Sequence, residues 1–237
     1  MPWSAASLPT FAGSIAYPAI VNALAQVPAE FLYALGTLRK ARCRSELHLN
    51  EIPAPSRLAP FAVALGAEVI GAHSRGSQSA AEHGPAAVAL ARSAGGNEPD
   101  DDELATGRFI LLHDPDGSAV WDGEFRIVTY IRAQLEPEMG NDEMLGSVAW
   151  TWLVEALETH RAAYRAAGGT ATRVLSESFG TLADRPGSID IELRASWTPA
   201  GADVQAHLEA WSDMVCTFAG LPPLPDGVSA LPRRRRN

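Results

Sequence analysis

At 237 residues, with 46% hydrophobic and 20% charged side chains, the chain is long enough for one well-filled core and too apolar to be disordered. Its net charge is −9, and Arg233, Arg234, Arg235 and Arg236 supply four of the 19 cations at the C-terminus, so the remaining residues stand at 15 − 28 = −13. An acidic body repels nucleic acid and anionic membrane, which leaves only weak nucleic-acid contact through the tail.

Cys43 and Cys216 are the only cysteines, too far apart in sequence for a zinc motif and too few for a disulfide framework. A reducing cytoplasm is the expected home. Residues 1–27 are apolar but contain no Lys or Arg and are interrupted by Pro9 and Pro18, so they match neither a signal peptide nor a membrane span. They read as a weakly ordered extension. A single α+β domain is expected over residues 28–226.

That domain opens with a helix at Pro28, where Phe31, Leu35 and Leu38 recur at helical spacing and Arg39, Lys40 and Arg42 suit the C-terminal end. Leu47, Leu49 and Glu51 read as a strand that Pro53 and Pro55 stop, and Phe61 to Ile70 as a second strand, although its alanines and leucine leave a helix open. Residues 73–104 read as a mobile insertion. Its acid run, Glu98 to Glu103, lacks the Gly turn and distal Glu of a calcium loop.

The segment from 105 onward says the same thing twice. Ile131-Arg132-Ala133 is echoed by Leu193-Arg194-Ala195, and Ala149-Trp150 by Ala210-Trp211, at nearly equal offsets. In the first unit, 105–167, Phe109 to Leu112 is an apolar run and His113 to Gly117 a turn. Phe125, Ile127, Thr129, Ile131, Ala133 and Leu135 then alternate with Arg126, Val128, Tyr130, Arg132 and Gln134. A helix from Ser147 to Ala166 follows, closed by Gly168-Gly169. The second unit, 170–220, repeats the order: a strand from Thr170 to Phe179 and a turn at Arg185-Pro186-Gly187. A strand alternating over Ile189 to Trp197 and a helix capped by Asp203 complete it. Residues 227–237 are expected to be a basic, disordered tail.

Short links within each unit favour antiparallel pairing. The predicted fold is α+β: one antiparallel sheet built from two strand-strand-helix repeats, with the helices on one face and an N-terminal helix and strands added. The second face is expected to be polar and to carry Arg132 and Arg194.

Glu51-Ile52-Pro53-Ala54-Pro55, Leu112-His113-Asp114-Pro115, Trp121-Asp122-Gly123, Ser176-Glu177-Ser178-Phe179-Gly180, Arg194-Ala195-Ser196-Trp197-Thr198-Pro199 and Ala219-Gly220-Leu221-Pro222-Pro223 resemble an uncharacterised actinobacterial family, a domain of unknown function, over roughly residues 28 to 235. The resemblance implies a cytoplasmic bacterial protein with no assigned activity, cofactor or catalytic residue.

The residues themselves offer little chemistry. His113 beside Asp114 is a candidate acid–base pair, but neighbouring strand residues point to opposite faces, and a strand end running into a turn is the preferred reading. Glu177 lies between Ser176 and Ser178 without a nucleophile elbow. The six histidines show no metal-binding spacing, and no glycine-rich phosphate or dinucleotide loop is present, so neither a metal nor a cofactor is expected. Trp121, ahead of the Asp122-Gly123 turn, is a candidate contact residue.

The remaining candidate is the polar sheet face, where Arg126, Tyr130, Arg132, Arg173, Glu177, Asp190, Glu192 and Arg194 are expected to converge. Paired arginines there either clamp an anion or are neutralised by the carboxylates, and the second outcome is preferred. The expected function is accordingly unknown in detail: a non-enzymatic cytoplasmic binding or adaptor protein for an unknown macromolecular partner, with no membrane. The alternative is a small-molecule binder or enzyme whose anionic substrate is held by Arg132 and Arg194, with Glu177 or His113 moving the proton. A cleft over the arginines favours the alternative and a flat face favours the adaptor.

Overall fold

The computed structural model describes residues 27–71, 103–135 and 142–221. The extension expected over 1–27 (Val27 aside), the insertion over 73–104 (Glu103 and Leu104 aside) and the tail over 227–237 lie outside the described residues. In chain order the elements are α1 (Ala29–Leu38), β1 (Leu47–Ile52), β2 (Phe61–Ile70), β3 (Glu103–Ser118), β4 (Gly123–Leu135), α2 (Leu145–Thr159), β5 (Tyr164–Ser176), β6 (Ser188–Pro199) and α3 (Gln205–Phe218), with a short 3-10 turn at Gly180–Leu182. Among the described residues the strands form one six-stranded sheet in the order β1-β2-β3-β4-β6-β5, and each neighbouring pair is antiparallel.

Alternation decides which face is covered. The odd-numbered residues Phe125, Ile127, Thr129, Ile131 and Ala133 of β4 are buried, as are Ile191, Leu193, Ala195 and Trp197 of β6 and Ala105, Phe109, Leu111 and His113 of β3. These side chains meet Phe31 and Leu38 of α1, Leu145, Ala149, Leu153 and Leu157 of α2, and Leu208, Trp211, Met214 and Val215 of α3 in one hydrophobic core. The α+β architecture with helices gathered on one face is the one expected.

The two strand-strand-helix units sit side by side. Ile131 lies opposite Leu193 in the β4–β6 ladder, so the residues matched between the units face each other across the junction. Each helix then crosses onto the other unit's outer strand: α2 packs on β5 and α3 on β3, and the two helices touch. Glycine permits both approaches. A Cβ on Gly107 would stand 2.7 Å from Trp211 Cζ2 and 3.1 Å from Val215 Cγ2, and one on Gly169 would stand 3.0 Å from Trp150 Cζ3. The buried Trp211 indole donates from Nε1 to Thr129 Oγ1 at 2.6 Å, and that hydroxyl donates to the Arg108 carbonyl at 3.0 Å. Neither polar group is left unpaired in the core.

Several local expectations are corrected. Asp114 to Gly117 do not turn the chain; β3 runs on to Ser118, and the turn falls at residues 119–122, with Asp122 at φ 57°. Thr198 and Arg165 hold that turn from neighbouring strands, which short-range composition does not encode. The helix expected over 147–166 ends at Thr159, and Gly168-Gly169 lie inside β5 rather than after a helix. The helix gives way at Arg161, at φ 53°, and the ladder with β6 opens at Tyr164, so Ala166 and Ala167 fall in the bulge of β5 rather than in a helix.

Replacing Gly107 with alanine is expected to cost about 1–3 kcal/mol, because the added methyl has only the Trp211 ring and Val215 to displace. Urea unfolding measures it. A second prediction concerns His207, whose Nδ1 accepts from Trp197 Nε1 at 3.1 Å. Burial pushes its pKa down to about 4 from 6.5. Between those values the unfolded chain binds the proton and the folded one does not, so stability is full above pH 6.5 and is lost as pH falls toward 4. The His207→Asn variant, which keeps an acceptor without a titrating proton, should show a flatter decline over that window, and equal slopes would refute the assignment.

Candidate functional site

The even-numbered strand residues form the second face, and no helix of the described residues lies on it. Reading across β1 to β5, one row carries Asn50, Gly66, Arg108, Tyr130, Arg194 and Thr170; the next carries His48, Glu68, Thr106, Arg132, Glu192 and Thr172. A third row, Ile52, Ala64, Ile110, Val128 and Ser196, is largely aliphatic. With Leu112 and Ala64 buried and Ile110 half-buried, the face is banded rather than uniformly polar, a correction to the expectation of a polar second face.

Tyr130, Arg132 and Arg194 do converge, and each is already committed. Arg132 Nη2 donates to Asp190 Oδ2 at 2.8 Å, and Arg194 Nη2 donates to Glu192 Oε2 at 2.9 Å. The Tyr130 hydroxyl donates to the other oxygen of Glu192 at 3.0 Å, while the Arg194 guanidinium stands 5.5 Å from the Tyr130 ring centre. Burial, then the bond to Glu192, raises the Tyr130 pKa, which keeps its hydroxyl protonated as a donor. The hydrogen bond to Asp190 raises that of Arg132. Both arginines are paired with a carboxylate, Arg132 across the strands and Arg194 along its own.

Arg126 is different. Its Nη1 donates to the Ala166 carbonyl at 2.8 Å and to Thr198 Oγ1 at 3.0 Å, and Nη2 donates to Ser196 Oγ at 2.7 Å. All three acceptors are neutral, and burial lowers its pKa. The bulge between Arg165 and Gly168, with Ala166 at φ 49°, lies where that carbonyl meets the guanidinium.

The other candidates lie elsewhere. His113 is on the helix-bearing face, 1% exposed, stacked at 4.3 Å on Phe125 and at 5.8 Å on Phe31, with both ring nitrogens unpartnered. Asp114 points the other way, so the two do not form a pair. Glu177 follows the last residue of β5 and is exposed. Arg173 lies on the helix side of β5, where Nη1 donates to the Asp142 carbonyl at 3.0 Å. Trp121 is half-buried in the β3–β4 turn, about 30 Å along β4 from Arg132. Its carbonyl accepts from the Thr198 hydroxyl.

Over β1 to β4 and Asp190 of β6, the second face sinks into a cavity of about 740 Å³. Its lining includes Arg108, Tyr130 and Arg132 but not Arg194, and its charges are two arginines against Glu68, Glu103 and Asp190. Arg108, exposed at the centre of β3, is the residue that sequence reasoning missed. The signal was its parity with Ile110 and Leu112, masked by reading Phe109 to Leu112 as one apolar run. On the helix side, His160 Nε2 meets Asp213 Oδ2 at 2.7 Å and joins the end of α2 to α3. Among the described residues no cluster of three or more His, Cys, Asp or Glu is arranged to hold a metal. None of the described helices is long and apolar enough to cross a membrane.

His113→Phe removes two unpaired buried polar atoms while keeping an aromatic ring of similar size. The variant is expected to be as stable as the wild type or up to about 2 kcal/mol more so. Thermal or urea unfolding decides it, and a clear loss of stability would show that a ring nitrogen matters.

No curated protein and no solved structure matches the chain. A family model described as "Protein of unknown function (DUF3000)" matches residues 27–229, most of the chain and every element of the sheet and its helices, and the chain belongs to that family.

Proposed function

We propose that the chain is a non-enzymatic cytoplasmic binding protein that holds a protein partner against the second face of its sheet. The observation that carries this reading is the state of the face's charges. Arg132 and Arg194 are each matched to a carboxylate, so the face presents hydrogen-bonded pairs in place of an anion clamp. The cavity lining carries more carboxylates than arginines, which disfavours a phosphate, a carboxylate substrate or nucleic acid there. The proton-transfer candidates are absent from it: His113 is sealed on the opposite side, and Glu177 lies past the strand end.

Size and composition point the same way. The cavity reaches across five strands, roughly 19 Å at ordinary strand spacing, and an α-helix with its side chains is about 10–12 Å across. Tyrosine and arginine beside half-buried Ile52, Ile110 and Val128 match the composition of protein interfaces, which balance apolar contact with directed polar bonds. The cavity volume also lies in the range of small-ligand sites, and it is the one observation that favours a small-molecule reading. We further infer that the two strand-strand-helix units descend from one duplicated module; the facing of Ile131 and Leu193 supports this.

The test is the Arg132→Ala/Arg194→Ala double variant, with folding checked by circular dichroism. Glu158→Ala, exposed on the helix-bearing side, is the control. A protein recovered with the wild type and the control, and weakened at least about tenfold by the double variant, supports the reading. Loss of a bound metabolite in native mass spectrometry, with no protein lost, transfers support to a small ligand. Identical profiles for wild type and double variant remove the second face from either role.

A further inference from the structure

The two edges of the sheet are managed differently. At one edge β1 is six residues long and runs into Pro53 and Pro55, which cannot continue a ladder. At the other, β5 is 13 residues long and, among the described residues, pairs only with β6. Its bulge lies at the Arg165–Gly168 end, and from Gly168 to Ser176 the ladder is regular. That stretch holds no proline, no lysine and no carboxylate, and Arg173 is its one charged residue. In an acidic protein it is an edge along which two copies would approach without carboxylate repulsion.

Apolar side chains stand out at the same corner. Leu175 is 64% exposed and Phe179 is 76% exposed, and Met144, at the start of α2, and Leu182 are exposed as well. The α2 end belongs to this corner because the Asp142 carbonyl accepts from Arg173 and Gly146 lies against Ala171. Alternation continued past Ser176 sets Glu177 and Phe179 on the side of Arg173 and Leu175, and Phe179 has the extended backbone this requires, φ −132° and ψ 163°.

We propose that the outer edge of β5 is a self-pairing interface, through which two copies of the chain join their sheets antiparallel about a two-fold axis at Leu175. The sequence of the edge is self-complementary in that register. With Leu175 on the axis, Arg173 faces Glu177 of the partner subunit, and the same pair recurs on the other side of the axis. Ala171 faces Phe179 of the partner subunit, a small residue against a large one. Residues 174 and 176 exchange places as opposed neighbours. The guanidinium fork carries five N–H donors, and Nη1 serves the Asp142 carbonyl. Registers centred on Arg173 would bring like charges together, so charge selects the register as well as the partner.

The test is the mass of the full-length chain by sedimentation velocity and light scattering at micromolar concentrations. The expected result is a dimer, twice the 25.2 kDa chain mass. Glu177→Arg and Arg173→Glu each place like charges face to face and should raise the dimer dissociation constant at least about tenfold, while the two together restore it. Leu175→Glu, which sets two carboxylates on the axis, should give a monomer. It and Glu177→Arg remain informative if Arg173→Glu, which loses the Asp142 contact, fails to fold. A wild-type chain that stays monomeric overturns the proposal, even if a foreign strand binds this edge. So does a dimer that none of these substitutions weakens.

Discussion

Ile131 and Leu193 oppose each other in the antiparallel pairing of β4 with β6, and the rest of the structure is arranged around that junction. Side chains alternate along a strand, so this one register turns the odd residues of β4 and β6 toward the core and the even residues toward the far face. The helices follow from it. With the inner rows set, α3 can lay Trp211 over Gly107, and α2 can lay Trp150 over Gly169, where no Cβ intervenes. The Trp211–Thr129–Arg108 chain of hydrogen bonds then ties α3, β4 and β3 at a single buried point, with donors and acceptors matched inside a low-dielectric core.

The second face obeys the same register with the opposite outcome. A slip of one residue would carry Arg132 and Arg194 into the core, where an unpaired charge is prohibitively costly. On the exposed side the two arginines need only modest compensation, and Asp190 and Glu192 supply it. That compensation leaves Arg132 and Arg194 as hydrogen-bonded pairs, while Arg126 on the same face rests on neutral acceptors.

Much of the fold was legible in the sequence because period-two patterning survives tertiary context. β2 falls on the expected residues from Phe61 to Ile70, and β4, β6 and α3 lie where alternation and helical spacing put them. Two local expectations failed. The alanines between Ala162 and Ala167 favour helix, but Arg161 at φ 53° has already ended α2, Gly168 and Gly169 disfavour helix by about 1 kcal/mol each relative to alanine, and the ladder with β6 takes over from Tyr164. The Asp-Pro-Asp-Gly composition after His113 signals a turn, and it marks a break in the β3–β4 register between His113 and Ser118, with Gly117 at φ 72°, while the reversal itself falls after Ser118.

The candidate site divides along the same line. The placement of Tyr130, Arg132 and Arg194 on one solvent-facing side was a property of alternation alone, as was the separation of His113 from Asp114. Pairing was decided only by tertiary structure. Which carboxylate meets which arginine, that Arg126 rests on neutral acceptors, that Arg108 lies at the centre of the face and that Glu177 lies off it all depend on strand order and register across β3, β4, β6 and β5. Local sequence sets the direction in which a side chain points through backbone geometry over two or three residues. For Arg132 and Tyr130 the partners lie 58 and 62 positions away, brought alongside by burial of the other face, whereas Arg194 meets Glu192 two residues along its own strand.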